Sequence, residues 1–347
     1  MEIRIYDSSF NFIGIIENQS SLLWNRKYND VGSFTLIAPL IQDNIRLLQM
    51  GRIVWVKGKV EAGVIESIEM TADSLGYSLK VEGRFLECYL SRRLVNVTDY
   101  SGRVEAAMYD LIEGVAEIPM LVIGEDKGFT DTIEFQAVYR NLLTCEMNLA
   151  KGAALGFRLI PDFVEKQFTF EVYQGVDHSA TQYDRTKVTF SDEYENLVSI
   201  RSYENEQTYY NVCIVGGQGE DQYKTYVTVG DTESTGLDRR EMYYEASEVT
   251  SNGMTWANYL EALKTKGREV LEEYKSADEF DCTILSNGNF IYGKDYDIGD
   301  IVTVKKSDWD LSKDLRLTAI NEIYEHEIPS IEIILGDTLP ETITWSD

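Results

Sequence analysis

Two histidines, four cysteines and a surplus of carboxylates are the residues with which this chain could do chemistry, and their spacing decides how much of it is realistic. His178 lies in the polar turn Gly175-Val176-Asp177-His178-Ser179 and His326 in Tyr324-Glu325-His326-Glu327, so both read as surface or hydrogen-bonded structural residues. No HExxH, GxSxG or P-loop pattern occurs. Cys88, Cys145, Cys213 and Cys282 form no CxxC pair and have no histidine cluster beside them, which reads as buried thiols of a protein folded in the cytosol. Gly216-Gly217-Gln218-Gly219-Glu220-Asp221 has the glycine density of a phosphate cradle. No GK[ST] ending follows, however, and a strand comes next, so the stretch reads as a turn between strands. Acidic groups such as Asp192-Glu193-Tyr194-Glu195 and Asp308-Trp309-Asp310 suit glycoside hydrolysis by type, but with 59 Asp and Glu in the chain any such pair is uninformative. Asp308, Asp310, Ser312 and Asp314 imitate the opening of a calcium loop, with Lys313 where glycine is needed and Ala319 where glutamate is needed. The sequence therefore assigns no catalytic, cofactor-binding or metal-binding residue and no enzymatic activity.

The charge points the same way. A formal −27, from 59 acidic against 32 basic residues, argues against a surface that grips nucleic-acid phosphates. It suits a wall past which DNA slides without sticking, and equally a soluble outer surface. The longest apolar runs, such as Ile53-Val54-Trp55-Val56, are strand-sized and far from the roughly 20 residues that span a bilayer, so no membrane anchor is expected. Met1 leads directly into an alternating strand pattern rather than a targeting segment. The 22 tyrosines suit both strands and subunit interfaces.

Residues must be held by elements, and these are mostly strands. Alternation predicts strands at 3–6, 12–16, 22–27, 33–38, 52–57, 63–70 and 77–82, with one helix over 41–50 stopped by Gly51. The sum is a closed or half-closed small barrel. Apolar residues at three- and four-residue spacing predict helices over 103–117 and over 139–151, the second capped by Asn141, followed by strands at 156–160 and 167–173. Strand texture returns at 188–190, 197–203, 209–215 and 223–229, gives way to a long helix capped by Thr255, and resumes at 281–285, 301–304, 315–324 and 331–335. The predicted class is α+β, mainly β, with two barrel-like domains, an α+β insert and a helical excursion. The expected boundaries are 1–100 for the first β-domain, 101–185 for the insert, 186–236 with 278–347 for the second β-domain, and 237–277 for the helical insertion.

Four segments carry a resemblance. Arg26-Lys27-Tyr28-Asn29-Asp30-Val31-Gly32-Ser33-Phe34-Thr35-Leu36, Gly83-Arg84-Phe85-Leu86-Glu87-Cys88-Tyr89-Leu90-Ser91-Arg92-Arg93, Asn211-Val212-Cys213-Ile214-Val215-Gly216-Gly217-Gln218-Gly219-Glu220 and Tyr296-Asp297-Ile298-Gly299-Asp300-Ile301-Val302-Thr303-Val304 occur in that order, and Leu335-Gly336-Asp337 closes the set. The sequence thereby resembles the tail-tip hub (baseplate hub) proteins of siphoviruses and prophages. The resemblance implies a structural virion protein without cofactors, assembled in the host cytoplasm into the tail tip. It implies a homotrimer whose ring of six related barrels joins a sixfold tail tube to a threefold tip and lets DNA pass. The implied partners are a tail tube or distal tail protein, a tape-measure protein and, in some particles, a separate receptor-binding or fibre protein; specific nucleic-acid binding is not among them. Many relatives continue into a long receptor-binding or wall-degrading region, and this sequence stops near residue 347, so that activity is not carried over. The competing expectations are a receptor- or carbohydrate-binding tip module and a cell-wall hydrolase.

Overall fold

The alternating runs at the start of the chain become seven antiparallel strands. They are β1 (Ile3–Tyr6), β2 (Phe12–Ile16), β3 (Ser21–Lys27), β4 (Ser33–Pro39), β5 (Ile53–Val56), β6 (Gly63–Asp73) and β7 (Gly76–Phe85), with α1 (Gln42–Leu47) between β4 and β5. The computed structural model describes residues 1–336 except 74–75, 97, 220–222, 275–276, 285–287 and 326–328. The strand order is β3-β4-β7-β6-β5-β1-β2. Ile3 and Ile16 from one end of that order share a core with Leu22 and Trp24 from the other, so the sheet is rolled around its apolar face. It does not close. The edge of β3 that would meet β2 is already paired with a strand from the far end of the chain, and no sheet closes on itself among the described residues. The expected barrel is thus an open, rolled sheet. The helix predicted over 41–50 stops at Leu47, because the Arg52 guanidinium donates to the carbonyls of Arg46 and Leu47 and Gly51 turns the chain at φ +75°.

A 3-10 helix, Leu86–Arg92, leads into the insert, formed by β8 (Thr98–Arg103), α2 (Val104–Gly114), β9 (Leu121–Ile123), β10 (Thr132–Ala137), α3 (Leu142–Gly152), β11 (Gly156–Asp162) and β12 (Gln167–Tyr173). Asn141 caps α3 by accepting from the Thr144 N–H, as its position predicts. The helix predicted to 117 ends at Gly114, whose carbonyl accepts from the Asn96 amide. Apolar residues of α2, α3, β11 and β12 form one core with Tyr6, Phe10 and Val64 of the rolled sheet, which fastens the insert to it.

Beyond the insert come β13 (Thr189–Ser191) and β14 (Leu197–Asn205). The chain then builds β15 (Val212–Gly216), β16 (Tyr226–Gly230), β17 (Glu241–Glu245) and α4 (Trp256–Glu273), and continues as β18 (Ala277–Ile284), β19 (Ile301–Lys306), β20 (Leu311–Tyr324) and β21 (Ser330–Gly336). β20 pairs with β21, β19 and β3, so the last strands extend the first sheet into one of thirteen strands.

Two compact units result. The first comprises Met1–Arg201 with Asp281–Gly336, and the second comprises Ser202–Phe280. Sequence texture had drawn its lines at 100/101, 185/186, 236/237 and 277/278. The second unit is the sheet β16-β15-β17 with α4 on one face, where Tyr259 and Leu263 pack with Cys213, Val215 and Val229. Thr255 caps α4 by accepting from the Asn258 N–H. β17 lies in the stretch read as a helical excursion, and β8, β9 and β10 are further strands that the sequence reading did not place.

Candidate functional site

The residues that could have done chemistry are dispersed by the fold. His178 shares a hydrogen bond between Nδ1 and the Thr186 carbonyl at 2.8 Å and lies 3.8 Å from Asp300; His326 falls outside the described residues. All four cysteines are buried thiols, and burial pushes Cys88 up to about 12. The glycine stretch ends β15. A Cβ on Gly217 would meet the Tyr259 hydroxyl and Leu263, and that hydroxyl accepts from the Gln218 N–H at 2.6 Å, so the glycine lets α4 approach the strand end. Asp314 accepts from Thr181 and Thr303, and Asp308 from Lys306. Among the described residues no three His, Cys, Asp or Glu converge as a metal site.

What the fold does bring together is charge, at the junction where β20 joins β3. Alternation along β3 puts Leu22, Trp24 and Arg26 on one buried face, so Arg26 enters the interior at 5% exposure. Its Nε donates to Glu61 at 2.8 Å, and Nη1 donates to the Tyr292 hydroxyl and the Asp297 carboxylate at 2.5 Å each. Glu322, facing inward from β20, accepts from Lys59, Tyr292 and Tyr324. Burial alone would lower the Arg26 pKa, but Glu61, then Tyr292 and Asp297, outweigh it and hold the guanidinium firmly protonated. Burial pushes the Tyr292 hydroxyl well up, so it stays neutral and donates onward to Glu322.

Two residues along, Tyr28 locks the same joint by packing. Its N–H donates to Thr318 of β20, its hydroxyl donates to the Ala154 carbonyl and accepts from the Gly175 N–H, and Arg316 lies 5.3 Å above its ring. The Tyr28 ring occupies the space where a Cβ on Gly299 would stand, and Gly299 is held at φ +91°. Three resembling segments thus meet in one place: Arg26 and Tyr28 from the first, Asp297 and Gly299 from the fourth, and Phe85 of the second, which packs with Trp24 at 4.6 Å. They are joints of a scaffold. Glu61, Tyr292 and Glu322 were not singled out by sequence; the signal was a charge at position 26 on the apolar face of an alternating strand.

The insert and the 3-10 helix that leads into it bury carboxyls differently. Glu105 on α2 accepts from the N–H groups of Lys127 and Phe129, fastening that loop. Glu87 accepts from the Leu159 N–H with one oxygen only, and burial raises it to about 7. Glu146 on α3 is fully buried with neither oxygen partnered among the described residues, and burial raises it well above the usual carboxylate range.

At the surface, β2 is the terminal strand of the large sheet among the described residues and exposes Phe12, Ile13 and Ile15. An unpaired apolar edge of this kind is a template for another strand. No helix among the described residues is long and apolar enough to cross a membrane.

Comparison with known proteins agrees with this architecture. The model of the Siphovirus ReqiPepy6 Gp37-like protein family matches residues 2–337. No individually curated protein matches the sequence. Among solved structures, a tail protein from Neisseria meningitidis MC58 superposes with TM-score 0.59 at 13% identity, covering 98% of each chain. The prophage tail protein gp18 of Listeria monocytogenes EGD-e gives 0.56 at 13% identity over 98% of this chain and 95% of that one. The 43 kDa tail protein of prophage MuSo2 from Shewanella oneidensis gives 0.56 at 14% over 96% and 98%. At such identities the likeness is one of fold.

Proposed function

The chain belongs to the Siphovirus ReqiPepy6 Gp37-like protein family, and from that premise we propose that it is a structural hub protein of a phage or phage-like tail tip, not an enzyme. The observation that carries the reading is the fold shared over nearly its whole length with proteins described as tail and prophage tail proteins. In this reading three copies form a ring between a sixfold tail tube and a threefold tip. The barrel-like hub domains expected at 1–100 and at 186–236 with 278–347 are completed in the ring through strands of the first unit, 1–100 and 186–201 with 281–336, where the open edge at β2 finds a strand. The insert and the helical excursion lie outside it. Tube or distal tail protein and tape-measure protein are the neighbours. The acidic excess faces the bore, where basic side chains would hold phosphates and slow DNA.

Deleting the gene from a particle-producing strain tests this. Loss of complete tails, restored by the gene in trans, is expected; normal infectious particles without the protein would refute it. A monomer in dilute solution is compatible, since ring closure can require the tube.

A further inference from the structure

A cleft of about 580 Å³ opens in the first unit between β1 and β5 on one side and the β11–β12 hairpin with the loop after β9 on the other. That volume is within the roughly 300–1,000 Å³ of small-molecule sites. Its floor is aromatic. Phe163, at the hairpin turn, stacks on Tyr6 with ring centroids 3.9 Å apart and planes 12° apart, and lies 5.1 Å from Trp55. Its walls are polar: the exposed Glu125 carboxylate and the half-buried Gln167 amide and Thr169 hydroxyl line the cleft with no side-chain hydrogen bond among the described residues.

The charges exclude an anionic ligand. Only Arg4 and Lys127 are basic in the lining, and both are engaged, Arg4 with Glu2 at 2.6 Å and Lys127 with Glu171 at 2.6 Å. Glu125, Asp162 and Glu171 outnumber them. What remains is an aromatic floor, over whose Trp55 ring the Arg4 guanidinium lies 5.7 Å from the centroid, beside groups that accept and donate hydrogen bonds. A ligand that satisfies both has one apolar face, many hydroxyls and no negative charge.

We propose that this cleft is a binding site for a neutral saccharide, a pyranose ring lying against Phe163 while its hydroxyls bond Glu125, Gln167 and Thr169. The site goes beyond the hub role and does not rest on it, because the test uses the isolated full chain. Glucose, galactose, rhamnose and N-acetylglucosamine, as monomers and short oligomers, are titrated by saturation-transfer NMR and tryptophan fluorescence, with inorganic phosphate as the anionic probe. Saturable binding of at least one sugar is expected. Gln167→Ala and Thr169→Ala each weaken it about tenfold, one hydrogen bond's worth, with Tm unchanged, and phosphate gives no response. Absence of saturable binding by every sugar overturns the proposal, as does binding that survives the Gln167→Ala/Thr169→Ala double variant or displacement of the sugar by phosphate.

Discussion

The β3–β20 junction and helix α3 bury charge-bearing groups in opposite ways. At the junction Arg26 is answered by Glu61, Asp297 and Tyr292, and Glu322 by Lys59 and two tyrosines. On α3, Glu146 sits among Leu142, Leu149 and Ala150 with neither oxygen answered. The first arrangement keeps its cation charged inside the protein, because removing the charge would strand its partners. The second keeps its acid protonated, because nothing nearby repays ionisation. One protein therefore has a joint that depends on a charge being present and an insert core that depends on a charge being absent.

The largest expected effect comes from removing one side of the paired set. Arg26→Ala leaves Glu61 buried without its cation and should cost about 3–5 kcal/mol, read as a lower midpoint in chemical denaturation. Arg26→Met with Glu61→Leu should recover most of that loss. If the single and double variants are equally destabilised, packing rather than charge holds the junction.

Acidity separates the two regions next. Glu87 and Glu146 hold protons in the folded protein that the unfolded chain releases above its ordinary carboxylate value of 4.5. Their stabilisation is therefore complete below that value and is lost as pH rises through the folded ones. For Glu87 the window runs from 4.5 to about 7 and amounts to about 3 kcal/mol. Stability measured from pH 4 to 9 should fall with rising pH in the wild type, and the fall should shrink in Glu146→Gln and shrink further in Glu87→Gln/Glu146→Gln. An unchanged profile in the double variant would remove the insert from this contrast. Arg26 stays protonated throughout and should add nothing to the slope.

How much of this was legible in sequence follows from what each feature needs. Alternation at 22, 24 and 26 gives β3 because a strand's faces are set by its own residues. β8, Thr98–Arg103, and β17, Glu241–Glu245, escaped because their polar residues give little contrast between the faces. The pairing of β20 with β3 joins residues nearly three hundred positions apart, and no local pattern encodes that register. Of the junction, Arg26 and Asp297 lay within segments quoted for the resemblance, whereas Glu61 and Glu322 were lost among 59 acids. Glu146 was readable in principle, since a stripe through 142, 146, 149 and 150 is apolar but for it.

A smaller effect sharpens the packing half of the junction. Gly299→Ala puts a methyl into the Tyr28 ring at a left-handed backbone position and should cost roughly 1–3 kcal/mol, lowering Tm without altering the pH profile. A neutral outcome would mean that Tyr28 has room to move. Smallest in stability is the exposed edge. Ile13→Lys with Ile15→Lys should change folding by less than about 0.5 kcal/mol while lowering incorporation into tails, measured by immunoblot of purified particles.

The central claim, a trimeric hub, is tested most directly by a three-dimensional reconstruction of the assembled particle. Three copies are expected at the end of the tail tube, ringed through the β-regions 1–100 and 185–336, with β2 paired to a strand of another subunit and more Asp and Glu than Lys and Arg on the bore. A single copy, a ring built by the 103–175 insert, or a bore with as many basic as acidic side chains would contradict it.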